Sequence, residues 1–310
     1  MDLSSMKQNS RHCLHSFALG TAQLGMSYGV ANRHGKPDMA VATEIIKRAR
    51  AAGCRYYDTA AGYGDAEQVL GTIFAELGMT AHVDVISKCA LRSENRFEVG
   101  EIRSVVQQSL DKLQVPALWA LLLHREADLS QWSSGLGSEL LGLREAGLVQ
   151  RLGVSSYQPQ HTRQAAALAG LDVFQVPASI FDRRFVADGC LDKLVNSGKS
   201  VFLRSVFLQG LALLERTALP TKMNFAAPAV QALEEFCRDH EIARCQFALD
   251  YVRLRCPGTV LLFGAERPEQ VAENLKTLEQ VQATVALCDE WDQRWPTSHD
   301  EAMSPLHWPK

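Results

Sequence analysis

Short apolar runs alternate with amphipathic stretches along nearly the whole chain. The runs occupy 16–19, 54–58, 83–88, 118–124, 151–155, 173–176, 200–204 and 259–263. They are largely apolar on both parities of the pleat, the pattern of strands covered on both faces. Between them, apolar residues recur at three and four spacing over 40–52, 66–77, 99–113, 137–146, 159–168, 191–195, 228–240 and 268–281. That is the period of helices with one buried face. Gly53, Gly78, Gly147, Gly170 and Gly198 stand where helices should stop, and Pro228 and Pro268 where two should start. Strand–helix alternation repeated eight times predicts an α/β fold of the (β/α)8 TIM-barrel type, a single domain over 1–310. An extra helix at 283–291 and a C-terminal tail complete it. A doubly wound open sheet is the competing architecture, but no G-x-G-x-x-G follows the first run.

The interval between Arg204 and Thr259 is too long for one loop and one helix. It has room for two helices and a long loop over 206–227. In this barrel the active site lies at the strand C-termini, so a long loop there is a candidate lid. The tail carries Trp295, Leu306 and Trp308, side chains costly to leave in water, and is expected to pack on the barrel.

Composition narrows the function. Of 310 residues, 46% are hydrophobic and 22% charged, which excludes a disordered chain. A net charge of −3 provides no global basic field for nucleic acid. The longest apolar run, 115–123, contains Pro116 and is far short of the roughly 20 residues that span a membrane. The first residues form no apolar signal core, so a cytoplasmic protein is expected. The 8 cysteines form no C-x-x-C pair and no zinc-ligand spacing, so no metal is expected. They read as small buried hydrophobes, with Cys89 singled out because it follows Lys88. The expected partner is a small molecule, with no nucleic acid and no membrane, and the expected assembly is a monomer.

Polar residues at strand ends carry the chemistry. Asp58 ends the second run, Lys88 the third and His124 the fourth, while Tyr63 lies in the loop after Asp58. Singly, each has a structural explanation: a helix cap, a snorkelling lysine, a satisfied histidine. Together at one mouth they fit one task. A phenol titrates near 10, a nearby ammonium lowers that value, and a carboxylate keeps the ammonium charged. An imidazole orients an oxygen or moves its proton. Such a group protonates a carbonyl oxygen while another agent delivers hydride.

With these residues the chain resembles the aldo-keto reductases, from Leu19-Gly20-Thr21 to Asn274. Asp58-Thr59-Ala60-Ala61-Gly62-Tyr63-Gly64 is similar to the family's most diagnostic segment, and Lys88 and His124 complete its catalytic tetrad. The resemblance implies an NADPH-dependent reductase, with NADH also accepted, that turns an aldehyde or ketone into an alcohol with Tyr63 as general acid. It places the coenzyme across the mouth of the barrel, touching Gly20, Thr21 and Asp58. Gly153-Val154-Ser155-Ser156 would bring Ser155 and Ser156 to the carboxamide, with Gln175. Arg204 and Ser205 occupy the place of an aromatic–serine pair, and the loop beyond, with Phe207 and Gly210, would clasp the pyrophosphate. Gly264, Ala265, Gln270 and Asn274 belong to the adenosine-phosphate segment, at a helix N-terminus that favours an anion. Loop residues 20–29, 181–184 and 204–210 resemble a bacterial branch often found with sugar or polysaccharide biosynthesis.

Two other readings compete: a regulatory or redox-sensing barrel with slow turnover, and a Schiff-base lyase using Lys88. Asp58 opposes the latter, because it keeps the amine protonated. Two positions depart from the family pattern. Glu266 stands where many relatives have an arginine for the 2′-phosphate, with Arg267 one step on. Arg204 replaces an aromatic platform; it is expected to stack beneath the nicotinamide, with contacts to the pyrophosphate, to an acidic loop residue or to an anionic substrate as alternatives. Tyr28 is a candidate pocket residue, and Trp119 is assigned to the core.

Overall fold

The computed structural model describes residues 17–93, 96–295, 304, 305 and 308. Eight parallel strands pair in sequence order and close into a barrel: β1 (Phe17–Gly20), β2 (Tyr56–Asp58), β3 (Asp84–Cys89), β4 (Leu118–Leu123), β5 (Val149–Ser155), β6 (Leu171–Pro177), β7 (Ser200–Arg204) and β8 (Val260–Gly264). Every predicted run contributes a strand, with ends shifted by a few residues; Ser16 and Cys13 lie outside the described residues.

Strand parity sorts the side chains. Ala18, Ile86, Trp119, Ala120, Leu122, Val173 and Phe202 form a buried cluster with Tyr56, Val260 and Leu262. Tyr56, Trp119 and Phe202 meet edge-on, with Tyr56 4.9 Å from Trp119 and 5.3 Å from Phe202. This filled barrel interior confirms the core assignment of Trp119. A second, larger apolar layer lies between the strands and the surrounding helices. Two residues beyond Tyr56, Ile86, Leu122, Val173 and Phe202, the same parity carries Asp58, Lys88, His124, Gln175 and Arg204. A plugged barrel with a polar upper layer therefore follows from the period of the pleat.

Helices cover the outside. The helix Met39–Ala51 opens at Asp38, whose carboxylate accepts the Val41 N–H at 2.9 Å. The interval after β7 does hold two helices, Ala227–Asp239 and Arg244–Arg255. The latter is buried continuously from Gln246 to Val252, so it has no apolar stripe for periodicity to detect. The predicted extra helix spans Val285–Arg294. Trp291 within it is fully buried and meets Phe236 at 5.2 Å. Of the tail, Trp308 is buried and approaches Phe225, as expected of a tail packed on the barrel, while Leu306 lies outside the described residues. Among the described residues no helix is long and apolar enough to cross a membrane.

Candidate active site

Lys88 is 1% exposed, and its ammonium makes three contacts. It donates to Asp58 Oδ2 at 2.7 Å and to the Thr59 carbonyl at 2.8 Å, and lies 3.5 Å from the Tyr63 hydroxyl. An ammonium has three protons, so all are directed. The other Asp58 oxygen accepts from Gln175 Nε2 at 2.7 Å. Thr21 holds the Asp58 carbonyl through both its N–H and its hydroxyl, each at 2.9 Å. One carboxylate thus ties β2, β3 and β6 together beneath the mouth.

Tyr63 stands on the loop after β2, and close backbone approach fixes that loop. A Cβ on Gly25 would lie 1.9 Å from the Tyr63 carbonyl, and one on Gly64 2.3 Å from the Gly25 carbonyl. Glycine is required at both for steric reasons. The Tyr63 ring meets His124 edge to face at 5.7 Å. Tyr63, His124 and Asp58 line one end of an elongated cleft of about 550 Å³. Lys88 sits behind them.

Electrostatics corrects one expectation. Lys88 should lower the Tyr63 phenol, but that phenol is raised above its usual 10. Burial is the main cause and the Asp58 charge the second, with Arg204 opposing both. Asp58 offsets the ammonium, and the phenol stays protonated at neutral pH. Burial lowers Lys88 and the Asp58 charge opposes that fall. His124 is driven down to about 4 by burial and by the cations Lys88, Arg204 and Arg125, so its imidazole is neutral. The Cys89 thiol is pushed up to about 12 by burial, which makes it an inert core group.

The cleft runs from this end along Gly20, Thr21, Ser155, Gln175, Arg204, Ser205, Phe207 and Gly210 to Gly264, Ala265, Gln270 and Asn274. Nearly all the predicted contact residues are therefore brought to one surface. Three of them already have side-chain partners within the protein. Ser156 is buried, and its hydroxyl turns away to Glu126, whose carboxylate also accepts from the Tyr157 N–H at 2.7 Å and meets His161 Nδ1 at 2.7 Å. Gln175 donates one amide N–H to Asp58 Oδ1. The Arg204 guanidinium lies 3.9 Å from the Tyr157 ring centroid, so one of its faces is already stacked.

Gln270 has a double duty: its side-chain oxygen accepts the Glu266 and Arg267 N–H groups at 2.8 and 3.1 Å, at the start of the helix Pro268–Glu279. The loop after β7 takes left-handed backbone at Ser205, Leu208, Gln209 and Gly210. It meets the loop after β1 through Ala31 N–H to the Gln209 carbonyl at 3.5 Å, roofing the cleft. Sequence reasoning gave no role to Gln23, Asn32, Arg244 and Cys245, which also line it. Arg244 and Cys245 open the helix that periodicity did not locate; Gln23, two residues after Thr21, was within reach of the motif. Among the described residues, no group of three metal-ligating side chains occurs.

Arg204, Arg244 and Arg267 bring positive charge to the lining of the cleft, which phosphate groups would meet.

Comparison with known proteins agrees with this geometry. The family model described as "Aldo/keto reductase family" matches residues 16–293. An aldo-keto reductase of Gibberella moniliformis is 24% identical over 183 residues, 56% of this chain and 53% of that protein. One from Mycobacterium sp. (strain KMS) is 31% identical over 119 residues, 38% of this chain and 42% of that protein. The chain thus spans about half the length of these curated relatives, or less. Among solved structures, an aldo-keto reductase from Bacillus halodurans in its holo form superposes with a TM-score of 0.69 at 21% identity, covering 90% of this chain and 91% of that one. A putative aldo-keto reductase from Pseudomonas aeruginosa gives 0.65 at 20% identity, covering 87% and 92%. These last two share the fold.

Proposed function

Because the chain belongs to the aldo/keto reductase family, we propose that it reduces an aldehyde or ketone to an alcohol with NADPH or NADH, using Tyr63 as general acid. The observation that carries this reading is the Asp58–Lys88–Tyr63 chain, with His124 against the ring, at one end of a cleft lined by Arg204, Arg244 and Arg267. When bound, the reduced coenzyme supplies a hydride to the carbonyl carbon.

The residues do the rest. The Lys88 ammonium points one proton at the Tyr63 oxygen, so the phenol's own proton is directed into the cleft, toward a carbonyl oxygen. Reduction consumes that proton, and the phenolate left behind is stabilised by Lys88, whose charge Asp58 maintains. Neutral His124 offers one N–H donor to the same oxygen without placing a second charge there. Thr21 and Gln175 hold Asp58 still. A Schiff-base role for Lys88 has no support here, since its nitrogen is enclosed and fully engaged.

Tyr63→Phe tests the assignment. It removes one hydroxyl and no packing volume. The kcat for NADPH-dependent reduction of a carbonyl panel is expected to fall by about 10²-fold or more, the scale of general acid catalysis. Retention of over half the wild-type rate, with chemistry limiting, would refute it.

A further inference from the structure

At the Tyr63 end of the cleft one positive charge is left unbalanced. Lys88 is matched by Asp58, whose two oxygens are taken by Lys88 and Gln175. Arg204 lies on the inward parity of β7, two residues beyond Phe202 in the barrel interior. Its guanidinium carbon lies 3.9 Å from the Tyr157 ring centroid, and Nη2 donates only to the Ser156 carbonyl, at 3.4 Å. Its Nε is buried with no acceptor among the described residues, and no ion pair to Arg204 occurs among them. The titratable side chains around it are Tyr28, Tyr63, Tyr157, His124 and Lys88, and none of these is a carboxylate. Glu126 is the nearby carboxylate on the 156–158 side. It is occupied by Ser156, the Tyr157 N–H and His161.

A partly buried cation without a counter-ion is costly, and a guanidinium presents a planar edge of donors that matches a carboxylate. Tyr157 lies against the guanidinium on one side, and Arg204 lines the cleft, where such a contact is made. We propose that Arg204 is a specificity-determining residue that pairs with a carboxylate on the substrate, so that the preferred substrate is an oxo acid: a carbonyl compound bearing a carboxylate within reach of the reacting carbon. Tyr157 is the positioning residue that holds the guanidinium, and Glu126 fixes the turn that carries it. The substrate class rests on the carbonyl-reductase reading; the charge contact does not.

The experiment has two arms. In the first, NADPH-dependent kcat/KM is measured for 4-oxobutanoate and for butanal, its neutral counterpart, with wild type, Arg204→Gln and Arg204→Lys. Wild type is expected to favour the acid by tenfold or more, and Arg204→Gln to shrink that ratio at least tenfold, chiefly through KM. Arg204→Lys should recover part of it, and added salt should lower the wild-type ratio. A ratio unchanged in Arg204→Gln overturns the proposal. In the second arm, calorimetry follows butanedioate binding to the NADPH-loaded protein, which needs no turnover. A tenfold loss of affinity in Arg204→Gln upholds the proposal. No binding by wild type, or equal affinity in the variant, overturns it. A fall in NADPH affinity by the same factor overturns it as well, and assigns Arg204 to the coenzyme phosphates. If neither aldehyde is reduced while butanedioate binding depends on Arg204, carbonyl reduction fails and the anion contact stands.

Discussion

Lys88 shows how a buried charge is made tolerable. Desolvation would drive the ammonium toward neutrality; Asp58, the Thr59 carbonyl and the Tyr63 hydroxyl share its three protons and hold it charged. Deleting one partner of such a pair costs about 3–5 kcal/mol, so a variant at Asp58 or Lys88 tests folding as much as chemistry. His124 is the cleaner probe. Its folded value is about 4 against an ordinary 6.5, because burial and the neighbouring cations disfavour its charged form. Between those values the unfolded chain binds more protons than the folded one. The contribution is therefore complete above pH 6.5 and is lost progressively as pH falls toward 4. Thermal melting between pH 7.5 and 4.5 is expected to show wild type losing Tm faster than His124→Gln. Parallel losses would mean that the imidazole titrates normally. The residue identities at this scale were legible from strand-end polarity. The phenol's upward shift was not, because it depends on how deeply Tyr63 is enclosed and how near Asp58 lies.

At the scale of elements, β5 shows what a motif accomplishes mechanically. The register with β6 shifts between Leu152 and Gly153. A Cβ on Gly153 would sit 1.9 Å from the Val173 carbonyl and 2.7 Å from Leu122. The glycine lets β5 approach β6 this closely, and the irregularity sets the direction of the turn that presents Ser155 and Tyr157 to the cleft. Gly153→Ala forces backbone apart rather than a side chain. It should cost about 1–3 kcal/mol, the usual scale of overpacking. Denaturant titration is expected to show the loss in ΔG, and an unchanged midpoint would show that the strands have slack. The alternation itself was readable from apolar period. The helix Arg244–Arg255 was not, because a helix buried on all sides has no polar face to mark its period.

Across the whole molecule, one cleft gathers residues from Gly20 to Asn274. Its far end carries mixed charge. Arg244 and Arg267 line it together with Glu266 and Glu273. Burial raises the Glu266 carboxyl, while His34 and Arg267 pull it down. A carboxylate there opposes a 2′-phosphate and Arg267 favours it. The NADPH:NADH ratio of kcat/KM is therefore expected to stay below about 10³, a difference of roughly 4 kcal/mol. Glu266→Gln should raise that ratio. A wild-type preference above that bound, unmoved by Glu266→Gln, would mean that Glu266 plays no part in coenzyme choice.

The sequence by itself determined the barrel, because eight buried-strand periods separated by helical periods have few other ways to bury their apolar faces. It also determined the catalytic candidates, because polar side chains at the inward parity of a strand end have nowhere to point but the mouth. Only the tertiary structure decided what those side chains touch. Ser156 turns to Glu126, Gln175 is committed to Asp58, and Arg204 rests on Tyr157. Each of these pairs joins residues from different strands or loops. Their distances are set by barrel closure and loop packing, which local periodicity does not encode.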